Sequence, residues 1–173
     1  MDENTFWALI EKTHQQSGRW NLKQQRDLLT EELMCLSSEE IVEFHMIFRE
    51  MRSKSYMARL WEAAFVIACG CSDSGFDEFR GWLIAQGRTV FENALHDPES
   101  LVDVIEPQKR YNIIDGNVLS ASLEAYERKT GQEMPPKRFS TPLIGELRFT
   151  DDEEAIYLLF PRLAAVFSPD CED

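Results

Sequence analysis

The stretch AAFVIACGCSDSGFDEFRGWLIAQG, Ala63–Gly87, decides how the whole chain is read. Its first seven residues, Ala63 to Cys69, are apolar without a break. A helix built on them is apolar nearly all round and belongs at the centre of a fold. The run is far too short to span a bilayer. Gly70 suits the left-handed position that ends a helix. Ser72, Asp73 and Ser74 then offer oxygens to the open N–H groups of a following helix, with Ser74 and Asp77 at capping-box spacing. Phe76, Phe79, Leu83 and Ile84 recur at helical intervals, and Gly87 stops or bends the run. The expectation is a buried central helical hairpin, Tyr56–Gly70 against Phe76–Gly87.

The same period continues on both sides. Phe6, Leu9 and Ile10 form one face of a first helix that stops near Gly18. Asn21 caps a second helix carrying Leu29 and Leu33, and Ser37 with Glu40 opens a third in capping-box spacing. Val90, Phe91 and Leu95 mark a further helix, and Asp97-Pro98 starts a short one. VLSASLEAYERKTG is helical and closes on Gly131, and Thr150 with Glu153 opens the last helical segment. QEMPPKRFSTPLIG holds three of the seven prolines and cannot be a regular helix. The expected fold is therefore all-α: one multi-helix domain over residues 1–168, at most one short strand pair near residues 139–149, and a frayed acidic tail at 169–173.

With 31 acidic and 18 basic residues among 173, the net charge is −13. No Lys/Arg-rich face is visible, which argues against binding nucleic acid. An acidic surface instead suits a basic protein partner. Part of the charge has a structural use, since the acidic groups at Asp2, Ser37–Glu40, Asp97 and Thr150–Glu153 open helices, where carboxylates complement the dipole. That placement also argues against regular acidic rows that would imitate nucleic acid. The opening MDENTFWALI lacks a basic leader, so neither a signal peptide nor a membrane role is expected, and the location expected is cytoplasmic. The four cysteines (35, 69, 71, 171) and three histidines (14, 45, 96) form no CxxC pair and no HExxH, so reduced thiols and no metal or other cofactor are expected. Cys71, just before a helix start, is the candidate reactive thiol, opposed by Asp73 and Asp77 beside it.

Five residues are the candidate binding set: Glu62, Asp73, Asp77, Arg80 and Trp82. Glu62 shares a helical face with Val66 and Cys69, and Arg80 shares one with Phe76 and Ile84, so both charges are expected to be partly buried. Burying either alone is costly, which predicts a Glu62–Arg80 pair or pairing of each with backbone groups. Asp73 and Asp77 are candidates for a base or a cation ligand. Trp82 either packs inward or stands as an exposed anchor. No catalytic residue is assigned, because no phosphate loop, nucleophile elbow or nucleotide fingerprint occurs.

LWEAAFVIACGCSDSGFDEFRGWLIAQGRTVFENALHDPESL, Leu60–Leu101, resembles the signature of the domain of unknown function 4240 family. FWALIEK near the start and FPRLAAVF near the end resemble that family's two ends. The resemblance implies a bacterial, cytoplasmic, largely helical domain and brings no activity or site residue with it. The family pattern has glycine where this chain has Cys69, which counts against a Cys-x-Cys metal site. Two functional readings follow. One is a non-enzymatic immunity or regulatory factor that presents an acidic face to a basic protein. The other is an enzyme or small-ligand binder with a pocket beside Ser72–Trp82, using Arg80 and Asp73 or Asp77. Whether the chain is an enzyme, and its oligomeric state, stay open at this point.

Overall fold

A computed structural model describes residues 1–114, 118–136, 141–148 and 153–167. Among them are nine α-helices: α1 Glu3–Ser17, α2 Leu22–Met34, α3 Ser38–Lys54, α4 Ala58–Ala68, α5 Asp73–Ala85, α6 Arg88–His96, α7 Ser120–Thr130, α8 Glu153–Leu159 and α9 Pro161–Phe167. Two 3-10 helices, Pro98–Asp103 and Pro107–Ile114, join α6 to α7. The chain is an all-α, multi-helix single domain, and one buried cluster runs from Phe6 to Phe167. The acidic tail expected at 169–173 lies outside the described residues. No strand forms among the described residues. The strand expectation reduces to one parallel bridge between Met57 and Ile144, where Ala58 donates to Ile144 O at 2.9 Å and Ile144 to Tyr56 O at 2.9 Å.

Several helix starts follow from the capping chemistry read in the sequence. Asp2 accepts from Thr5 N, Asn21 from Gln24 N, and Asp97 from Glu99 N. Ser37 and Glu40 complete a reciprocal capping box at the head of α3. Replacing Ser37 by alanine leaves the Glu40 N–H without that acceptor and is expected to cost about 1 kcal/mol. Urea unfolding followed by far-UV circular dichroism would show the loss, and an unchanged midpoint would mean that water serves the helix end equally well.

The decisive stretch folds as expected in outline and shifts in two places, by one residue and by two. The left-handed residue after α4 is Cys69, at φ 51°, ψ 46°, and Gly70 follows at φ 124°. A glycine at position 69 would meet no Cβ penalty in that conformation. The cap of α5 is Ser72, accepting from Gly75 N at 3.1 Å, rather than Ser74. Gly87, at φ 95°, turns the chain between α5 and α6, where a Cβ would meet Glu11 Cγ at 3.2 Å. Helices α4 and α5 are both largely buried, and they meet near their turn, where the Trp61 and Phe76 rings stack at 4.8 Å and 13°. From there a stack of rings follows α5 through Phe79 and Trp82 to Trp20. This rigid aromatic spine fixes the face of α5 that carries Asp77 and Arg80.

Candidate functional site

Helix α3 packs beside α5, and at the C-terminal end of α3 three polar side chains stand on one face. Arg49, Arg52 and Ser53 occur at i, i+3 and i+4, a spacing that aligns them. Tyr56 follows just past the helix end. Together with Asp77 and Arg80 of α5 and with Thr141 they line a cleft of about 240 Å³. Thr141 donates its hydroxyl to Ser53 Oγ at 2.8 Å, which ties the 141–148 segment to α3.

Of the two arginines that pair with Asp77, Arg80 is the more enclosed, with its side chain 12% exposed. Its guanidinium lies over the Tyr56 ring at 4.6 Å and the Phe76 ring at 5.3 Å, geometry that stabilises a partly desolvated cation. Nη1 donates to Arg52 O at 2.8 Å, a terminal carbonyl of α3, and Nη2 pairs with Asp77 Oδ1. Arg52 Nη2 pairs with Asp77 Oδ2. One carboxylate thus bridges two guanidinium forks, one oxygen to each. Asp77 is 47% exposed, against 21% for Arg52 and 12% for Arg80, so the anion lies on the solvent side of the cations it joins. The Nε atoms of Arg52 and Arg80 find no partner among the described residues. Burial lowers the Arg80 pKa from its usual value, Asp77 opposes that shift, and Arg52 adds to it. An arginine stays charged through such a shift.

The five residues expected from sequence separate. Asp77 and Arg80 come together in the cleft. Asp73 opens α5 one residue after its cap and acts on Arg80 only through its charge. Trp82 is fully buried, stacked between Trp20 at 6.1 Å and Phe79 at 5.8 Å, and does not line the cleft. Glu62 is fully buried too, but its partner is not Arg80: Oε1 accepts the Arg148 backbone N–H at 2.6 Å, with Arg148 Nε at 3.7 Å. The expected Glu62–Arg80 pair does not form, because α4 turns Glu62 toward the 141–148 segment while Arg80 faces α3. Each charge is instead met by a backbone group, the other arrangement expected.

The cysteine readings change as well. Cys71 is half-buried, and burial pushes its thiol up to about 12, so the helix start does not make it a thiolate. Cys69 is disulfide-bonded, against the expectation of reduced thiols. Among the described residues no three His, Cys, Asp or Glu side chains converge as metal ligands would. No helix among them is long and apolar enough to cross a membrane.

Sequence reading missed Arg49, Arg52, Ser53, Tyr56 and Thr141. The periodic spacing of the first four was visible, but basic residues in a last helical turn already have a dipole explanation.

The family described as Protein of unknown function (DUF4240) matches residues 1–128, and the chain belongs to it. Those residues include all of the cleft except Thr141, and FPRLAAVF at 160–167 lies beyond them. No curated protein and no solved structure matches the chain.

Proposed function

We propose that this chain is a small-ligand binder whose cleft between α3 and α5 holds an anionic group. The observation that carries the reading is the gathering of Arg49, Arg52 and Arg80 in one concave site, two of them sharing the Asp77 carboxylate, on a chain whose net charge is −13. Over the chain acidic groups outnumber basic ones, whereas among the described residues lining this cleft three are arginines and one is an aspartate. Guanidinium forks suit planar or tetrahedral oxyanions because two parallel N–H donors meet two oxygens. The Tyr56 hydroxyl adds a donor that carries no charge. The cation–π contacts and the Arg52 carbonyl hold the Arg80 fork in place before any ligand arrives, which lowers the entropy cost of binding.

Isothermal titration with inorganic phosphate at low salt tests this. The wild-type chain is expected to bind saturably, and Arg80→Lys to bind at least about tenfold more weakly, since an ammonium cannot reproduce the fork. Arg52→Lys, which leaves the ring contacts of Arg80 alone, is the companion variant should Arg80→Lys fold poorly. A wild-type chain that binds no phosphate, or lysine variants that bind as well as wild type, would overturn the reading.

The net charge of −13 supports a second reading, an immunity or regulatory factor with an acidic face for a basic protein. The caps at Asp2, Ser37–Glu40 and Asp97 account for only part of that charge. Association with such a partner would slow steeply as salt rises.

A further inference from the structure

We infer that the group held in the cleft is a phosphate and that Asp77 is the internal anion it displaces. The inference rests on the anion-binding reading above and concerns which anion succeeds. Asp77 already supplies the cleft with a carboxylate, bridged between Arg52 and Arg80. As part of the same chain, it competes at an effective concentration that a free ligand must match, on the order of millimolar or more for a short tether. A free carboxylate offers the forks nothing that Asp77 lacks, so it gains nothing by exchange. A phosphate group brings about −1.5 to −2 charges and three terminal oxygens. It satisfies both forks and still has an acceptor for Arg49 or for the Tyr56 hydroxyl.

The exposure order fits displacement rather than binding alongside. Asp77 lies outermost, so an anion arriving from solvent meets the carboxylate before it meets the N–H groups. When it swings away, the freed carboxylate returns to water at little desolvation cost. Asp77 therefore acts as a filter: it lowers affinity for every anion and removes those that carry only one charge. Selectivity built on a competing group is bought with affinity.

The experiment compares wild type with Asp77→Asn, using inorganic phosphate, phenyl phosphate and acetate as probes at matched ionic strength, with thermal unfolding to confirm that both proteins fold. Inorganic phosphate and phenyl phosphate are separate arms because a free ion and an ester present the same oxygens, and the lower Kd identifies the source. Asp77→Asn is expected to bind phosphate at least about fivefold more tightly, as for a site left open in a fifth or fewer of wild-type molecules. Acetate, without effect on wild type, is expected to bind the variant. Asp77→Ala separates the loss of charge from hydrogen bonds made by the new amide. Phosphate binding that weakens or is unchanged in both variants would overturn the filter while leaving the anion site standing. A wild type that binds no phosphate fails the anion site itself.

Discussion

Replacing Trp82 by alanine is expected to destabilise the chain by about 3–5 kcal/mol, the largest effect of any single substitution considered. Trp82 is fully buried on α5, with the Trp20 ring on one side at 6.1 Å and the Phe79 ring on the other at 5.8 Å. Truncation removes a large apolar surface and leaves a cavity that two flat rings cannot easily collapse into. It also takes the support from Trp20, whose Nε1 donates to Glu106 at 2.9 Å and so holds the α1–α2 connection against the segment between the two 3-10 helices. Trp82→Phe is expected to cost far less, about 1–2 kcal/mol. The indole Nε1 of Trp82 has no partner among the described residues, and the phenyl ring deletes that buried donor while keeping the stack. Urea unfolding of the three proteins would show the order. A cost below about 1 kcal/mol for Trp82→Ala would mean that the aromatic spine is not what fixes α5.

What the sequence revealed and what it hid divide by how far apart the interacting groups lie. The third helix could be read because Ser37 and Glu40 are three residues apart and their two hydrogen bonds are local. The buried α5 could be read because Phe76, Phe79, Leu83 and Ile84 repeat along one helix. The cap of α5 was misplaced from Ser72 to Ser74 because both serines satisfy the composition rule. Backbone torsion decides between them, and Ser72 alone has the extended φ −68°, ψ 169° that a cap needs.

The cleft was half legible for a similar reason. Asp77 and Arg80 drew notice because a charge among buried aromatics demands a partner. The partner supplied is Arg52, 25 residues earlier on another helix, and only the packing of α3 on α5 brings them together. Glu62 shows the limit most sharply. Its hydrogen-bond donor is a backbone N–H 86 residues away, and a backbone donor leaves no trace in residue type. The second 3-10 helix, Pro107–Ile114, was also missed. Its Arg110 is buried by donating to Phe167 O at 3.1 Å, a carbonyl equally silent in sequence.

Acidification is expected to weaken the fold through His45. His45 lies between α3 and α7, nearly buried, with Nδ1 at 3.0 Å from Ser122 Oγ. The Ser122 hydroxyl donates its one proton to Leu119 O at 2.9 Å, so the ring proton sits on Nδ1 and the open protonation site is Nε2. Burial lowers the His45 pKa from 6.5 to about 4, and the nearby charges of Arg49 and Arg52 push the same way. Between pH 6.5 and about 4 the neutral ring is thus favoured only in the folded chain. Its contribution is complete above pH 6.5, declines as pH falls from there toward 4, and is absent below. The shift corresponds to about 3 kcal/mol across that window. His14 is also held below its usual value, chiefly by burial, so it adds in the same direction. In His45→Asn the amide can still donate to Ser122 but does not titrate. The variant is expected to be less stable than wild type at pH 7, from lost packing, and to show a much flatter stability profile between pH 6.5 and 4.5. Urea unfolding at half-unit pH steps measures both slopes. Parallel profiles for the two proteins would locate the acid sensitivity elsewhere. A flat variant profile would also tie stability to the cleft, because the arginines that repel a protonated His45 are two of those offered to the anion.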